Sequence, residues 1–308
     1  MTTVRAGTLS ALVVSLALFT SSAAAQPSMG AAQSDFNAGN YRASLQKISQ
    51  MLGGKLAPGG SKERYDLLML RGECQLNLKN RDLAVDAFEA ASRVTFAKED
   101  ITPTANARTI AILVERSPEL RYRPKGKPDA DGIDIVKPDS RKTAMSALLD
   151  ELLPAAQAAA DAAGKATDVA VMHEALEPIA DAFVVELTAT GEPKQSAPMF
   201  RQVGSHVRTF IAGEIERLQH RTEQLSVQSS EPKDAGAESP SAERRGLTDD
   251  ERKELTKAED QIDALRLAAQ HGRRIARRLG STGENWDTIV ADCTELRDLI
   301  RQTLGTAR

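Results

Sequence analysis

The residues of this chain whose chemistry could go beyond packing are four histidines, two cysteines and a block of paired arginines. His173-Glu174-Ala175-Leu176-Glu177 comes nearest to a metal-binding pattern. A helical zinc site needs a second imidazole one turn after the first, on the same face, and Glu177 stands at that position, so a solvated helix face is expected. His206, His220 and His271 have neither an imidazole four residues on nor a carboxylate-rich surround. Ser205 precedes His206, but adjacent helical residues point in different directions and cannot form a nucleophile–base pair. No glycine-rich phosphate loop, nucleophile elbow or paired metal-binding carboxylate motif occurs. No catalytic residue, metal ligand or cofactor is therefore assigned.

Arg273, Arg274, Arg277 and Arg278 form two adjacent pairs one helical turn apart. Such a patch would suit phosphate, an anionic lipid surface or another polyanion. The distribution of charge also offers a local role. Asp249 to Asp263 holds seven acids and three bases, whereas Ala264 to Gly280 holds five arginines and no acid, the polarity that complements a helix dipole. Glu284, Asp287, Asp292 and Glu295 on the returning segment would bring acids beside the arginines, and local neutralisation is the favoured expectation. Cys74 and Cys293 lie on helical-looking stripes and are expected as buried thiols, although an exported setting would permit a disulfide.

Composition narrows the function classes. The 308 residues carry 40 Lys and Arg against 43 Asp and Glu, with 41% hydrophobic and 27% charged residues, which suits a soluble globular chain. Near-balanced charge disfavours nucleic acid as the main partner, and 4% aromatics disfavours carbohydrate or base stacking. Residues 1–25 read as a secretory signal peptide: Arg5, an apolar run from Leu9 to Phe19, and Ala23-Ala24-Ala25 before Gln26. The protein is thus expected to be exported, periplasmic or secreted. The apolar run falls short of the roughly 20 residues of a membrane span, and no later segment approaches that length, so the mature chain is expected to have no transmembrane span.

The elements that must position these groups read as helices throughout. Apolar residues recur at helical period between Gly and Pro punctuation, and only Ile133-Asp134-Ile135-Val136 looks like a strand. An all-α fold follows. Near the mature start, Phe36-Asn37-Ala38-Gly39-Asn40-Tyr41 ends a short helix, and Ser44, Ile48 and Met51 recur at i, i+4, i+7 along the next. A second copy has Gly72 twelve residues before Ala84, then Phe88 and Ala91 at the same spacing. Small residues at Ala32 and Ser44, and at Gly72 and Ala84, would let antiparallel helices approach, with Ile48 or Phe88 as the wedge. Over residues 29–97 this pattern resembles the tetratricopeptide repeat, a two-helix unit of about 34 residues. Here the spacing is stretched by an insertion from Gly53 to Lys62. The resemblance implies helical-hairpin repeats that bind a protein in a groove, with Leu68, Gln75 and Asn77 as groove positions. Two units need a cap, and the helix opened by Thr102-Pro103 and stopped before Pro118 is the candidate.

The expected layout is therefore a repeat region with its capping helix at 26–118, an extended linker at 119–139 and a helical region at 140–225. A disordered linker at 226–246 and a C-terminal antiparallel α-hairpin at 247–308 complete it. Capping boxes at Thr248/Glu251 and Ser281/Glu284 mark the hairpin helices. Leu255, Ala258, Ile262 and Leu265 form a coiled-coil-like seam with Trp286, Ile289, Cys293 and Leu296. The two parts flanking 226–246 are expected to fold independently, and the hairpin could self-associate. The function expected is a non-enzymatic protein–protein interaction or scaffold module of the cell envelope, the alternatives being polyanion binding through the arginines or an enzyme with an unrecognised site.

Overall fold

The computed structural model describes residues 27–53, 61–96, 101–116, 120–121, 133–134, 138–230, 246–280 and 284–306. The segment expected as a signal peptide lies outside them, as do most of the expected linkers at 119–139 and 226–246 and the expected Ser281 cap. The fold is all-α: the described residues form eleven helices, with one two-residue parallel pair, β1 (Leu120–Arg121) beside β2 (Ile133–Asp134). None of these helices is long and apolar enough to cross a membrane.

Helices α1 (Met29–Asn37), α2 (Tyr41–Gly53), α3 (Ser61–Asn77) and α4 (Arg81–Ser92) form two consecutive hairpins. The Ser28 hydroxyl caps α1 by accepting from the Ala31 amide at 3.2 Å, and Gly39 turns the chain into α2 with φ 81°. Close approach between α1 and α2 rests on small residues: Ala32 and Ser44 are fully buried, and the Ser44 hydroxyl donates to the Ala32 carbonyl at 2.9 Å. In the second hairpin the Phe88 ring abuts Gly72, where an added Cβ would sit 2.6 Å from two ring carbons. Its turn uses Lys79 at φ 65°, a left-handed conformation that costs an L-residue roughly 1–2 kcal/mol. Asn80 braces that turn, its amide donating to the Gln75 carbonyl and its side chain to Gln75 Oε1, both at 2.9 Å.

Helix α5 (Thr102–Arg116) corrects the expectation of a cap. A cap needs a polar outer face, yet Ala105, Ala107 and every residue from Thr109 to Val114 is buried, so α5 is apolar nearly all round. One side completes the α3–α4 layer through Ile110, Ala111 and Val114; the other joins the following helices through Ala105, Ile112 and Leu113.

Beyond α5 come α6 (Pro138–Ala163), α7 (Val169–Glu174), α8 (Leu176–Thr190), α9 (Ser196–Ser230), α10 (Asp249–Arg278) and α11 (Glu284–Thr306). Pro154 sits inside a continuous α6. Asp168 caps α7, accepting from the Ala170 amide at 2.8 Å. The helix then breaks at Ala175, because Pro178 offers no N–H and its ring clashes with the carbonyl four residues back, that of Glu174. Gly191 closes α8 with φ 82°, and the buried Glu186 carboxylate caps α9 by accepting from the Ser196 amide at 2.9 Å and its hydroxyl at 2.6 Å. Helix α9 continues to Ser230, past the expected linker start at 226, with no Gly or Pro between Gly213 and Pro232. The Thr248/Glu251 capping box is formed.

One apolar core runs through residues of α5, α6, α7, α8, α9, α10 and α11, from Ala105 to Ile300. The expectation of two independently folded parts either side of 226–246 is thereby corrected. An amphipathic hairpin of two helices has one apolar stripe per helix, and here those stripes face α9 and α8 as well as each other. Trp286 illustrates the arrangement: this α11 side chain is buried against Gly272 of α10, near Gly204 of α9, with the Arg208 guanidinium 5.3 Å from the ring centroid.

Candidate functional site

Of the three expected groove residues, two are part of the interior. Leu68 is 5% exposed and packs with Ala91, Val94 and Ala107. Gln75 is 8% exposed and accepts from Asn80, so its side chain holds the α3–α4 turn. Asn77 is half-buried and donates to the Glu73 carbonyl of its own helix at 2.8 Å. Leu68 and Gln75 are thus unsuited to contact a ligand. The repeat resemblance implies a groove face for these positions, whereas α3 is packed by α2, α4 and α1. The solvent-facing side chains of the hairpins are instead such residues as Arg42, Gln46, Glu63, Asp82, Leu83 and Asp86.

The arginine block is largely consumed within the fold. Arg273 and Arg277 both reach Asp287 at 3.0 Å, and this double contact holds the Asp287 carboxyl below its ordinary pKa through the Arg273 hydrogen bond first. Arg278 points inward, 3.7 Å from Glu177 of α8, its pKa lowered by burial. Arg274 alone of the four is exposed and without an ion pair among the described residues. Local neutralisation is therefore real for three arginines, but through Asp287 and Glu177; Asp292 and Glu295 lie elsewhere, on the α9-facing valley of α11.

The described residues bring together one polar cluster that no motif announced. Arg108 of α5 forks onto Asp181 of α8, Nε to Oδ1 at 2.9 Å and Nη2 to Oδ2 at 3.0 Å, while Nη1 reaches Glu89 of α4 at 2.8 Å. Burial works against the Arg108 charge, but Asp181 and Glu89 outweigh it and raise its pKa above the ordinary value. Such a bidentate, largely buried pair fixes geometry across layers: here it ties the hairpins, α5 and α8 together. Next to it, His271 Nε2 lies 3.6 Å from Glu177 without a hydrogen bond, and the His271 ring stands edge-on to His173 at 5.1 Å. Burial lowers the His271 pKa, the Glu177 charge opposing and His173, Arg274 and Arg278 reinforcing. The hollow lined by Arg108, Asp181 and Arg278 has about 10 Å3 of space, enough for about one water molecule. It is a polar joint between helices, filled by its own ion pairs. No group of three His, Cys, Asp or Glu side chains that could hold a metal ion occurs among the described residues.

Cys74 and Cys293 are both buried free thiols in separate apolar clusters. Desolvation pushes their pKa up to about 11 and about 12, far from the range of a reactive thiolate. Comparison with protein-family models, with curated proteins and with solved structures finds no match for this chain.

Proposed function

We propose that this chain is an exported, non-enzymatic interaction module of the cell envelope, in which the two N-terminal hairpins dock a protein partner and the larger helical body anchors them. The observation that carries this reading is the division of labour around α5. The hairpins bury their apolar faces among themselves and against α5, and leave to solvent polar outer faces of α2 and α4 and the first turn of α3. The Arg108–Asp181–Glu89 fork then holds that array in one orientation on the body. A rigidly mounted array of antiparallel helices supports recognition of a folded partner or an extended segment, as helical repeats do. The arginine block adds little to a polyanion reading, since three of its four side chains already face carboxylates.

The test is capture of partners from envelope extracts by the chain beginning at Gln26, compared with a variant lacking residues 27–96. The deletion stops before α5, because removing α5 would open the body's core. Circular dichroism and Trp286 fluorescence check that the body remains folded. A partner retained by the full chain and lost from the variant is the expected result; a partner set common to both would overturn the proposal.

A further inference from the structure

We propose that the valley between α9 and α11 is a second docking surface, and that it receives a basic amphipathic helix from a partner protein. This extends the interaction-module reading to a second face, and does not depend on the hairpins. On α9 the valley is lined by Ile215 and Glu216, and on α11 by Asp292, Glu295, Leu296 and Leu299. The α11 residues fall at i, i+3, i+4 and i+7, one stripe two turns or about 10 Å long. The hollow measures about 330 Å3. On the α9 side the small, exposed Ala212 side chain lines it, leaving the hollow open.

Charge selects the occupant. Glu216, Asp292 and Glu295 are exposed and have no ion pair among the described residues. Of the other acids on these helices, Glu214 is matched by Arg217 at 2.7 Å, Asp287 by two arginines and Asp298 by Arg297 at 3.8 Å, while Glu223 accepts from Gln219 at 3.0 Å. Unmatched negative charge is thus gathered around an apolar floor of Ile215, Leu296 and Leu299. A helix seated there would place leucine-like side chains on the floor at i, i+3 or i+4 and i+7, with lysines or arginines against the rim.

The probe is a synthetic helical peptide of roughly 18 residues with leucines on one face and lysines flanking them. Its controls are a glutamate-for-lysine analogue and a scrambled lysine peptide of equal composition. Binding to the chain beginning at Gln26 is read by fluorescence anisotropy at about 50 and 300 mM salt, with hydrogen exchange to locate it. The variants are Ala212→Trp, which fills the valley, and the triple reversal E216K, D292K and E295K. All four positions are exposed, and circular dichroism verifies folding. The patterned lysine peptide is expected to bind, to protect α9 and α11 from exchange, and to weaken about tenfold or more in both variants. The triple reversal should instead select the glutamate peptide. Absence of binding, equal binding of the scrambled peptide, or insensitivity to both variants would overturn the proposal. Concentration-dependent dimerisation abolished by Ala212→Trp would overturn the occupant in favour of a second copy. Peptide binding is read on α9 and α11 of the chain that begins at Gln26, with the hairpins in place, so its failure is distinguishable from failure of the hairpin docking reading.

Discussion

Replacing Gly272 by alanine sets two known effects of opposite sign against each other at one position. Gly272 lies in the interior of α10, and helix propensity alone favours Ala by about 1 kcal/mol. A Cβ there would, however, fall 2.5, 2.6 and 2.7 Å from three carbons at the far edge of the Trp286 ring. Carbon contacts are comfortable near 3.5–4.0 Å, so the ring must retreat by about 1 Å. It is 2% exposed, with Gly204 of α9 and the Arg208 guanidinium close by. Overpacking of this kind costs about 1–3 kcal/mol and occasionally more. The clash should win, giving Gly272→Ala a net destabilisation of about 1–2 kcal/mol. Trp286→Phe removes the clashing edge, and in that background Gly272→Ala should be neutral or stabilising by up to about 1 kcal/mol. The expected coupling is thus about 2 kcal/mol, measured by a double-mutant cycle of urea unfolding followed at 222 nm. Coupling below about 0.5 kcal/mol would mean that the α10–α11 seam does not pack in this register.

Phe88→Ala should cost about 3–5 kcal/mol, since the fully buried ring fills the space over Gly72; an unchanged unfolding midpoint would contradict that packing. Arg108→Ala should cost about 3 kcal/mol by leaving Asp181 largely buried without its partner, whereas the double replacement Arg108→Met/Asp181→Leu should recover much of the loss, both read by urea denaturation. Because the folded pKa of His271 lies below that of the unfolded imidazole, the unfolded chain binds more protons just below about pH 6.5. Its contribution should therefore be full above that pH and be lost as pH falls towards the folded value, and the difference between wild type and His271→Gln should shrink accordingly across a series of unfolding curves. Cys74 and Cys293 should resist alkylation at pH 8 in the native protein and react at once in urea; rapid native labelling would contradict their burial.

Local signals carried much of the fold. The Ala32/Ser44 and Gly72/Ala84 spacing announced close helix approach, and all four residues are buried. Asp168 and the Thr248/Glu251 pair act as caps because capping depends on residues within one turn. The seam of α10 and α11 was legible for the same reason, its period lying within each helix. What escaped depends on partners distant in sequence. The pairing of Arg108 with Asp181 spans 73 residues, and Arg278 meets Glu177 from another helix, so neither leaves a local pattern. The shared core was missed because a stripe shows that a helix has an apolar face and not what covers it. In α5 a signal was present: the unbroken run Ile110-Ala111-Ile112-Leu113-Val114 is too apolar for a one-sided cap and reads as a helix buried on both sides. For Leu68 and Gln75 the resemblance to a repeat assigned a face, while the packing of α3 on both its neighbours decided burial.

Hydrogen exchange on the chain beginning at Gln26, with and without a partner captured in the proposed deletion experiment, tests the central claim most directly. Slowed exchange should concentrate in peptides of α2, α4 and the first turn of α3, with α5 and the body core already slow in the free protein because they are buried. Unchanged exchange across α1 to α4 on saturation with that partner would contradict the account.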